Sequence, residues 1–230
     1  MKTVILCGGK SERLKGYNRE IPKPMWEIKG KPLIWHLMSL YANQGFKDFV
    51  LCTGYQHEVI ESYFKANKPE DWSIIFDNAG ENAGTAERVL SALRYVDSEN
   101  FFCTYADGLC DIDFKSQLNH HTASNKLATI SAVKTNLPFG VFKLNQNNQA
   151  ESFVEKPKSD YWLNGGFFIL SKSIKAHIEN VLSLEESLFQ TLIKRNEVNL
   201  YFHNGYWKCM DTYKDYVEMN ADFEALSKQA

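Results

Sequence analysis

The chain has 230 residues, of which 44% are hydrophobic and 23% are charged, and its formal net charge is −2. This is the composition of an ordinary globular domain, and it excludes intrinsic disorder as a class. The near-neutral balance also argues against a protein that coats nucleic acid or binds membranes through a polybasic surface.

Basic residues are concentrated near the N-terminus. Residues 1–31 contain eight basic and three acidic side chains, a local charge of +5, which leaves −7 for the remaining residues. A local excess of this kind favours the binding of an anion near the start of the chain.

The five cysteines give no sign of disulfide bonds or of a zinc site. They are scattered, without a Cys-x-x-Cys pair, and Cys7, Cys52 and Cys103 lie within apolar runs. This pattern predicts reduced thiols and a cytoplasmic protein. No apolar run approaches the roughly 20 residues that span a bilayer, and Thr3–Cys7 is too short for the core of a signal peptide. We therefore expect no membrane partner.

The first half of the chain alternates short apolar runs with amphipathic segments. Strands are predicted at Thr3–Cys7, Asp48–Thr53, Ser73–Phe76 and Phe101–Tyr105, and helices at Pro32–Gln44, Gln56–Lys65 and Thr85–Val96. This order predicts a parallel sheet with helices on both faces. In such sheets, ligands bind beyond the carboxyl ends of the strands.

The second half contains more strands. Strands are predicted at Leu127–Val133, Gly140–Leu144, Glu151–Val154, Gly166–Leu170 and Val198–Phe202, and helices at Phe114–Ser124, Lys172–Asn180, Leu184–Lys194 and Asp211–Ser227. We predict one fused α/β domain over residues 1–230, in which a Rossmann-like, mixed and mostly parallel sheet is flanked by helices and continues from 1–112 into 113–230. His120 and His121 are predicted to lie on the solvated surface.

The loop after the first strand, LCGGKSERL (6–14), predicts a phosphate-binding site. Gly8 and Gly9 let the backbone approach a ligand closely, and consecutive N–H groups can surround an anion. Arg13 can donate two hydrogen bonds to phosphate oxygens, and Lys23 is held between two prolines in IPKPM (21–25). A glycine pair after a strand is also a common tight turn, and PKP can be only a rigid loop. The dinucleotide-binding pattern is missing, which argues against a dinucleotide-dependent oxidoreductase.

Two aspartates are candidates for a metal site. Asp107 follows the fourth predicted strand and therefore points into the crevice of the glycine loop, and Asp211 precedes the last predicted helix. Carboxylates from distant segments commonly hold one Mg²⁺, whose other ligands are water and phosphate. Asp211 is equally well explained as a helix N-cap, and Asp113 is predicted to cap the helix that follows it.

The motifs GG-x-x-x-RL and PKPM resemble the signature of the sugar-1-phosphate nucleotidyltransferases, and the resemblance extends over roughly residues 1–222. The segments PLIWH (32–36), GFKDFVLCTGY (45–55), NGGFFIL (164–170) and GYWKCMDT (205–212) are similar to the glucose-1-phosphate cytidylyltransferase branch of that family. The resemblance implies a glycosyltransferase-A-like form of the fold, with a nucleotide-binding half at 1–112 and an acceptor-binding half at 113–230.

The resemblance also implies a reaction. A nucleoside triphosphate, CTP in the first place, would be coupled to a sugar 1-phosphate with release of pyrophosphate, which would supply a nucleotide sugar for surface polysaccharide synthesis. The partners implied are the nucleotide and a small phosphorylated acceptor, the cofactor is Mg²⁺, and a homo-oligomer is left open. Guanylyl or uridylyl transfer, a heptose or non-sugar acceptor, and an inactive nucleotide-binding regulator are the alternatives.

The resemblance assigns roles to individual residues. Arg13 and Lys23 are implied to be catalytic, and Asp107 and Asp211 to hold the metal. The residues implied to bind the nucleotide are Leu6, Gly8, Gly9, Lys10, Ser11, Gly84 and Thr85. The residues implied to bind the acceptor are Gly140, Glu155, Lys156, Asn164 and Gly165. Ser11 departs from the family pattern, which usually has a third glycine at that position. Trp207 could line the sugar pocket, but the interpretation as a buried aromatic residue is favoured.

Overall fold

The computed structural model describes residues 1–10 and 21–226. The strands are β1 (Lys2–Leu6), β2 (Glu27–Ile28), β3 (Lys31–Pro32), β4 (Asp48–Thr53), β5 (Ser73–Asn78), β6 (Asn100–Tyr105), β7 (Gly108–Cys110), β8 (Ala128–Val133), β9 (Val141–Leu144), β10 (Ala150–Val154), β11 (Leu163–Ser171), β12 (Val198–His203) and β13 (Trp207–Cys209). The α-helices are α1 (Leu33–Ala42), α2 (His57–Asn67), α3 (Thr85–Ala92), α4 (Phe114–Ser124), α5 (Lys175–Ile178), α6 (Phe189–Lys194) and α7 (Tyr213–Leu226).

A seven-stranded sheet in the order β12-β8-β11-β6-β1-β4-β5 forms the centre of the fold. Strands β6, β1, β4 and β5 are parallel, β11 runs antiparallel to both β6 and β8, and β12 is parallel to β8. The sheet therefore contains strands from both predicted halves. The prediction of a single fused domain with a mixed, mostly parallel sheet is confirmed.

Three short strand pairs lie outside this sheet. Strands β2 and β3 pair with each other, β7 pairs with β13, and β9 pairs with β10. The strands predicted at Gly140–Leu144 and Glu151–Val154 are thus a separate hairpin, whose strand residues are all exposed, while β8, β11 and β12 extend the main sheet. Strand β13 was not predicted, because three residues are too short for an alternating pattern to be recognised.

Helices cover both faces of the sheet because successive strand side chains point to opposite sides. In β1, Ile5 packs into a core with residues of α1, α2, α4 and α7, whereas Val4 and Leu6 pack into a second core with residues of α3, α5 and α6. On the first face, the rings of Tyr41 and Phe114 are stacked with their centroids 3.8 Å apart. Within the part of the chain that the structure describes, no helix combines the length and apolar character required to cross a membrane.

The prediction of a solvated surface is wrong for His121, although His120 is exposed as expected. His121 is 2% exposed on the inner side of α4. Its Nδ1 lies 2.8 Å from Thr129 Oγ1 and its Nε2 lies 3.2 Å from Asn100 Oδ1, which suits a neutral ring that donates from Nε2. Burial, with a smaller contribution from His120, lowers the pKa of His121 from 6.5 to about 4.

We predict that His121 makes the folded protein sensitive to mild acid. Because the pKa is lower in the folded state, protonation favours unfolding, and stability is lost as the pH falls from the unfolded pKa towards the folded one. When the pH is lowered from 7 to 5, the free energy of unfolding of the wild-type protein should decrease by about 2 kcal/mol more than that of His121→Gln. Urea denaturation at the two pH values measures this difference. The exposed His120→Gln is the control. Equal pH dependence in the wild-type and His121→Gln proteins would contradict the prediction.

Candidate active site

A two-stranded ribbon brings the two candidate aspartates together. Asp107 follows β6, and the next strand, β7, pairs antiparallel with β13, with Gly108 opposite Cys209. The Met210 N–H donates a 2.8 Å hydrogen bond to the Asp107 carbonyl, which closes the ribbon. Asp107 and Asp211 therefore flank the same end of the ribbon, at the carboxyl end of the parallel part of the sheet.

Asp211 is not the N-cap of α7, because this helix begins at Tyr213. The N–H groups just before the helix are bound by the carboxylate of another residue, Asp215. Asp215 Oδ2 accepts hydrogen bonds from the Asp211 N–H (3.1 Å) and the Thr212 N–H (2.7 Å). The predicted cap at Asp113 is present, since its Oδ1 accepts from the Ser116 N–H at 2.9 Å. The side chain of Asp211 instead interacts with a residue outside its helix, Lys23.

Lys23 lies between the two aspartates. Its Nζ donates hydrogen bonds to Asp107 Oδ2 at 2.8 Å and to Asp211 Oδ1 at 3.2 Å, and the residue is 8% exposed. A short 3₁₀ turn, Lys23–Met25, between Pro22 and the rest of the core fixes the direction of the side chain. Burial acts to lower the pKa of Lys23, but the charge and hydrogen bond of Asp107 outweigh it, and the pKa is raised above its ordinary value. Lys23 is therefore a permanent cation.

Cys209 completes this cluster. One potential ligand atom from each of Asp107, Cys209 and Asp211 lies within 4.8 Å of the other two. Burial and the neighbouring charge of Asp107 raise the pKa of the Cys209 thiol, so it is protonated at neutral pH and is a poor nucleophile. The two carboxylates are hard oxygen ligands that suit Mg²⁺, and they already hold a cation, the Lys23 ammonium. The residues present thus fit a divalent metal.

A cleft of about 300 Å³ lies beside the first strand. We call it the glycine-loop cleft, and its lining residues include Leu6, Gly8, Gly9, Lys23, Glu81, Gly84, Thr85, Arg88, Tyr105 and Asp107. Lys10 is not part of the lining, since its Nζ donates to Asn82 Oδ1 at 3.0 Å on the neighbouring loop. Arg13 and Ser11, which were also predicted here, lie outside the described residues.

Gly84 and Thr85 form a wall of this cleft, and hydrogen bonds connect this wall to the chain around residue 184. Thr85 Oγ1 accepts from the Leu184 N–H at 2.9 Å and donates to Glu185 Oε2 at 3.2 Å. The Gly84 N–H donates to Glu87 Oε2 at 2.8 Å, and a Cβ at Gly84 would lie 2.0 Å from the Leu182 carbonyl oxygen. The glycine is therefore required by this contact, and its N–H already has a protein partner.

A second cleft of about 300 Å³ adjoins the first. We call it the Trp207 cleft, and its lining residues include Tyr105, Asp107, Asn164, Gly165, Gly166, Trp207, Cys209 and Asp211. Trp207 Nε1 donates to the Gly165 carbonyl at 2.7 Å, which fixes the ring on this wall. Tyr105 and Asp107 line both clefts, so the two clefts meet at the carboxylate cluster.

The other residues implied to bind an acceptor are not brought to either cleft. Gly140 and Glu155 lie together at the base of the exposed hairpin, where a Cβ at Gly140 would be 2.8 Å from Glu155 Oε2. Lys156 is exposed, and its Nζ lies 4.0 Å from Glu155 Oε1. The described residues thus bring together Lys23, the two aspartates and the Asn164–Gly165 segment, whereas Gly140, Glu155 and Lys156 are not among the residues that line the clefts.

Sequence reasoning missed several residues of the site. For Trp207 the less favoured of two interpretations is correct, since the residue is half-buried and lines a cleft. Its position four residues before Asp211 was the signal that could have identified it. Cys209 was counted only as a reduced thiol, and Arg88 received no role at all.

The arrangement defines a class of protein. A glycine loop, a buried lysine and a carboxylate pair lie at the carboxyl ends of parallel strands, where α/β proteins bind phosphorylated ligands. Two adjoining clefts can hold two substrates with a cation at their junction. These are the parts of an enzyme that transfers a phosphorus-containing group between two ligands.

Comparison with known proteins identifies the family. A family model described as "Nucleotidyl transferase" matches residues 2–225, and the chain belongs to this family. It is 35% identical to a probable glucose-1-phosphate cytidylyltransferase of Bacillus subtilis, with 96% of this chain and 95% of the relative aligned. It is 36% identical to the glucose-1-phosphate cytidylyltransferase of Salmonella typhi, over 97% of this chain and 96% of the relative.

A solved structure supports the same assignment. HddC from Yersinia pseudotuberculosis, in complex with GMP-PN, matches with a TM-score of 0.73 at 26% identity, over 96% of this chain and 99% of that chain. The predicted resemblance, the predicted fold and the prediction of an enzyme that transfers nucleotides to sugar 1-phosphates are confirmed.

We predict that Cys209 is the first cysteine to be alkylated in the folded protein. The other four cysteines are buried, and Cys209 is half-buried beside the cluster. Because its raised pKa leaves little thiolate, iodoacetamide at pH 8 should modify it about tenfold or more slowly than free cysteine, as measured by mass spectrometry. Cys209→Ser should abolish labelling of the folded protein. Earlier modification of Cys7 or Cys103 would contradict the burial of these thiols.

Proposed function

We propose that the protein transfers a cytidylyl group from CTP to glucose 1-phosphate, with release of pyrophosphate. The observation that carries the proposal is the meeting of two clefts at Lys23, Asp107 and Asp211. The glycine-loop cleft would receive the triphosphate and the Trp207 cleft the sugar phosphate. The names of the Bacillus and Salmonella relatives support CTP and glucose 1-phosphate as the substrates.

The reaction needs no general base. A phosphate monoester is already mostly a dianion at neutral pH, because its second pKa is about 6. One of its oxygens can attack the α-phosphorus of the nucleotide while the bond to the leaving pyrophosphate breaks. The protein's contribution is then alignment of the two substrates and stabilisation of negative charge.

Individual residues are proposed for these tasks. Lys23 would hold the attacking phosphate near the α-phosphate, and Arg13 would neutralise the triphosphate and the departing pyrophosphate. Lys156 would anchor the phosphate of the acceptor. Asp107 and Asp211 would hold Mg²⁺, which when bound would neutralise phosphate charge. Leu6, Gly8, Gly9, Lys10, Ser11, Gly84 and Thr85 are proposed for the nucleotide, and Gly140, Glu155, Asn164 and Gly165 for the acceptor.

The setting of the reaction also belongs to this proposal. We expect the nucleotide sugar to serve surface polysaccharide synthesis and the enzyme to act in the cytoplasm, where five free cysteines are stable. The exposed apolar residues of the β9–β10 hairpin, such as Phe142 (61% exposed) and Phe153 (54% exposed), support a homo-oligomer that covers them.

Pyrophosphate release tests the proposed reaction. The purified protein is incubated with CTP, UTP, GTP or ATP, each combined with glucose 1-phosphate, mannose 1-phosphate, a heptose 1-phosphate or phosphocholine, and the products are identified by mass spectrometry. We expect the highest rate with CTP and glucose 1-phosphate. Highest activity with GTP would favour the guanylyl alternative, which the GMP-PN complex of the Yersinia protein suggests. No release from any pair would favour a nucleotide-binding regulator.

We predict that Lys23→Ala and Asp107→Ala each lower the rate by about 10³-fold or more, since each removes a charge at the junction of the substrates. Initial rates with the best substrate pair measure the loss, and circular dichroism checks the fold. Lys115→Ala and Asp113→Asn are matched controls, because Lys115 is exposed on α4 and asparagine also caps helices. Near-normal rates of either site variant would exclude the assigned roles.

We predict that Lys23→Met strengthens the binding of a divalent cation, although replacing Lys23 lowers the rate of the reaction. The Lys23 ammonium occupies the space between the carboxylates, so a divalent cation must compete with it. Without nucleotide, Lys23→Met should bind Mn²⁺ about fivefold or more tightly than the wild-type protein, since a like charge has been removed. Electron paramagnetic resonance of free Mn²⁺ measures this, with Lys115→Met as control and Asp107→Asn as a variant that should bind more weakly. Unchanged affinity in Lys23→Met would contradict the competition.

A further inference from the structure

Arg88 is a buried cation of α3 that lies under the glycine-loop cleft. It is 4% exposed, yet it is one of the residues that line the cleft. Arginine is rarely buried to this extent, because the loss of hydration must be compensated by hydrogen bonds and by opposite charge. The partners of its guanidinium therefore show what the side chain does.

The guanidinium donates hydrogen bonds to backbone carbonyls of three separate segments. Nη1 donates to the carbonyl of Thr53 at the end of β4, and Nη2 donates to the carbonyl of Gly8 in the glycine loop at 3.2 Å. Nη2 also contacts the carbonyls of Gly80 at 2.8 Å and Glu81 at 3.4 Å, in the loop before α3. One side chain thus connects the glycine loop, the end of a central strand and the loop on the far side of the cleft.

Two glycines make room for this side chain. A Cβ at Gly8 would lie 2.2 Å from Arg88 Nη1, and a Cβ at Gly54 would lie 2.7 Å from Arg88 Nη2. Neither glycine has a positive φ, so backbone conformation does not require them. Backbone atoms are close as well, since the same Cβ atoms would lie 2.8 Å from the Thr53 carbonyl carbon and 2.9 Å from the Gly8 carbonyl oxygen. The first glycine of the GG pair is therefore explained by close packing against the guanidinium and the end of β4, in addition to any close approach of a ligand.

The charge of Arg88 has no carboxylate partner among the described residues. In β5 and the loop before α3, Glu81 Oε2 lies 3.8 Å from Lys10 Nζ, and Asp77 pairs with Arg94 through its Oδ1. Carbonyl oxygens satisfy the N–H groups of Arg88 but carry no net charge. A buried positive charge beside a cleft acts through a medium of low dielectric constant, and it favours an anionic ligand there.

We propose that Arg88 is the positioning residue of the nucleotide cleft. It ties three segments into the shape that receives the triphosphate, and its unneutralised charge favours that anion. It acts through the carbonyls it binds rather than on the reacting atoms. The inference rests on the proposed function only in naming a nucleoside triphosphate as the ligand of the cleft.

Amide hydrogen exchange of the ligand-free protein tests whether Arg88 holds the three segments together, and it does not require enzymatic activity. Arg88→Gln and Arg88→Lys cannot reach all four carbonyls, and in both we expect exchange to rise at least fivefold in residues 8–10, 53–56 and 80–83 together. Arg88→Lys keeps the charge and supplies the same comparison where Arg88→Gln is too unstable to purify. Arg195→Gln makes the same chemical change at an exposed position and should leave these segments unchanged.

Calorimetric titration with CTP, UTP, GTP and ATP, and steady-state kinetics, test the effect on the cleft. For the nucleotide that the wild-type protein binds most tightly, Kd should rise about tenfold in Arg88→Lys and at least threefold further in Arg88→Gln, which also lacks the charge. The KM for the acceptor should change less than twofold, because Arg88 is not part of the Trp207 cleft.

If Arg88 had a purely structural role, the folded variants would bind the nucleotide as tightly as the wild-type protein, or the Kd for the nucleotide and the KM for the acceptor would rise equally. Either result would overturn the proposal. An increase in exchange that is confined to α3 would overturn it as well. Failure of the wild-type protein to transfer a nucleotide to any acceptor would contradict the proposed function instead. The exchange and binding measurements would still decide the role of Arg88.

Discussion

The ion pairs of Lys23 with Asp107 and Asp211 constrain how the chain segments of the site are arranged. A nearly buried ammonium is tolerated only if opposite charges lie within hydrogen-bonding distance, because the loss of hydration is otherwise too costly. Those charges come from the ends of β6 and β13, and the lysine comes from a proline-flanked turn far away in the chain. Three remote segments must therefore meet correctly before the fold is stable in this region.

Much of the fold could be predicted from the sequence. The four parallel strands of the first half are short, apolar and separated by amphipathic helices, and each has the composition that buried strands require. The pairing of β7 with β13 could not be predicted, since each strand has three residues and the partners are almost a hundred positions apart. His121 was misjudged because a polar residue on a helix says nothing about the hydroxyl and amide that receive it.

Residues of the site could be predicted where a charged side chain lies in a recognisable local setting, such as the end of a strand or a proline-flanked turn. Asp107 and Lys23 were predicted for the site from a carboxylate after a parallel strand and a lysine between prolines, together with the resemblance to the family, and the structure brings the two side chains within hydrogen-bonding distance. Arg88 was not found, since its partners are backbone carbonyls, which leave no trace in the sequence. Gly84 was predicted to bind the nucleotide from the resemblance, whereas the structure shows that a side chain there would collide with the Leu182 carbonyl.

The reversal of β11 has a consequence for how the two clefts are built. Because this strand runs against its neighbours, its beginning, rather than its end, lies at the edge where β1 and β6 finish. Asn164 pairs with Ala132 near the start of β11, just before an irregularity in the register, and its Oδ1 accepts from the Gly166 N–H at 2.9 Å. The glycine-loop cleft is lined by loop residues such as Gly9 and Glu81 as well as by residues of β1, β6 and α3. An exchange at Asn164 would therefore change both the side chain that a ligand meets and the hydrogen bond that holds Gly166, whose φ is +76°. The same position thus governs the chemistry and the backbone shape of this wall.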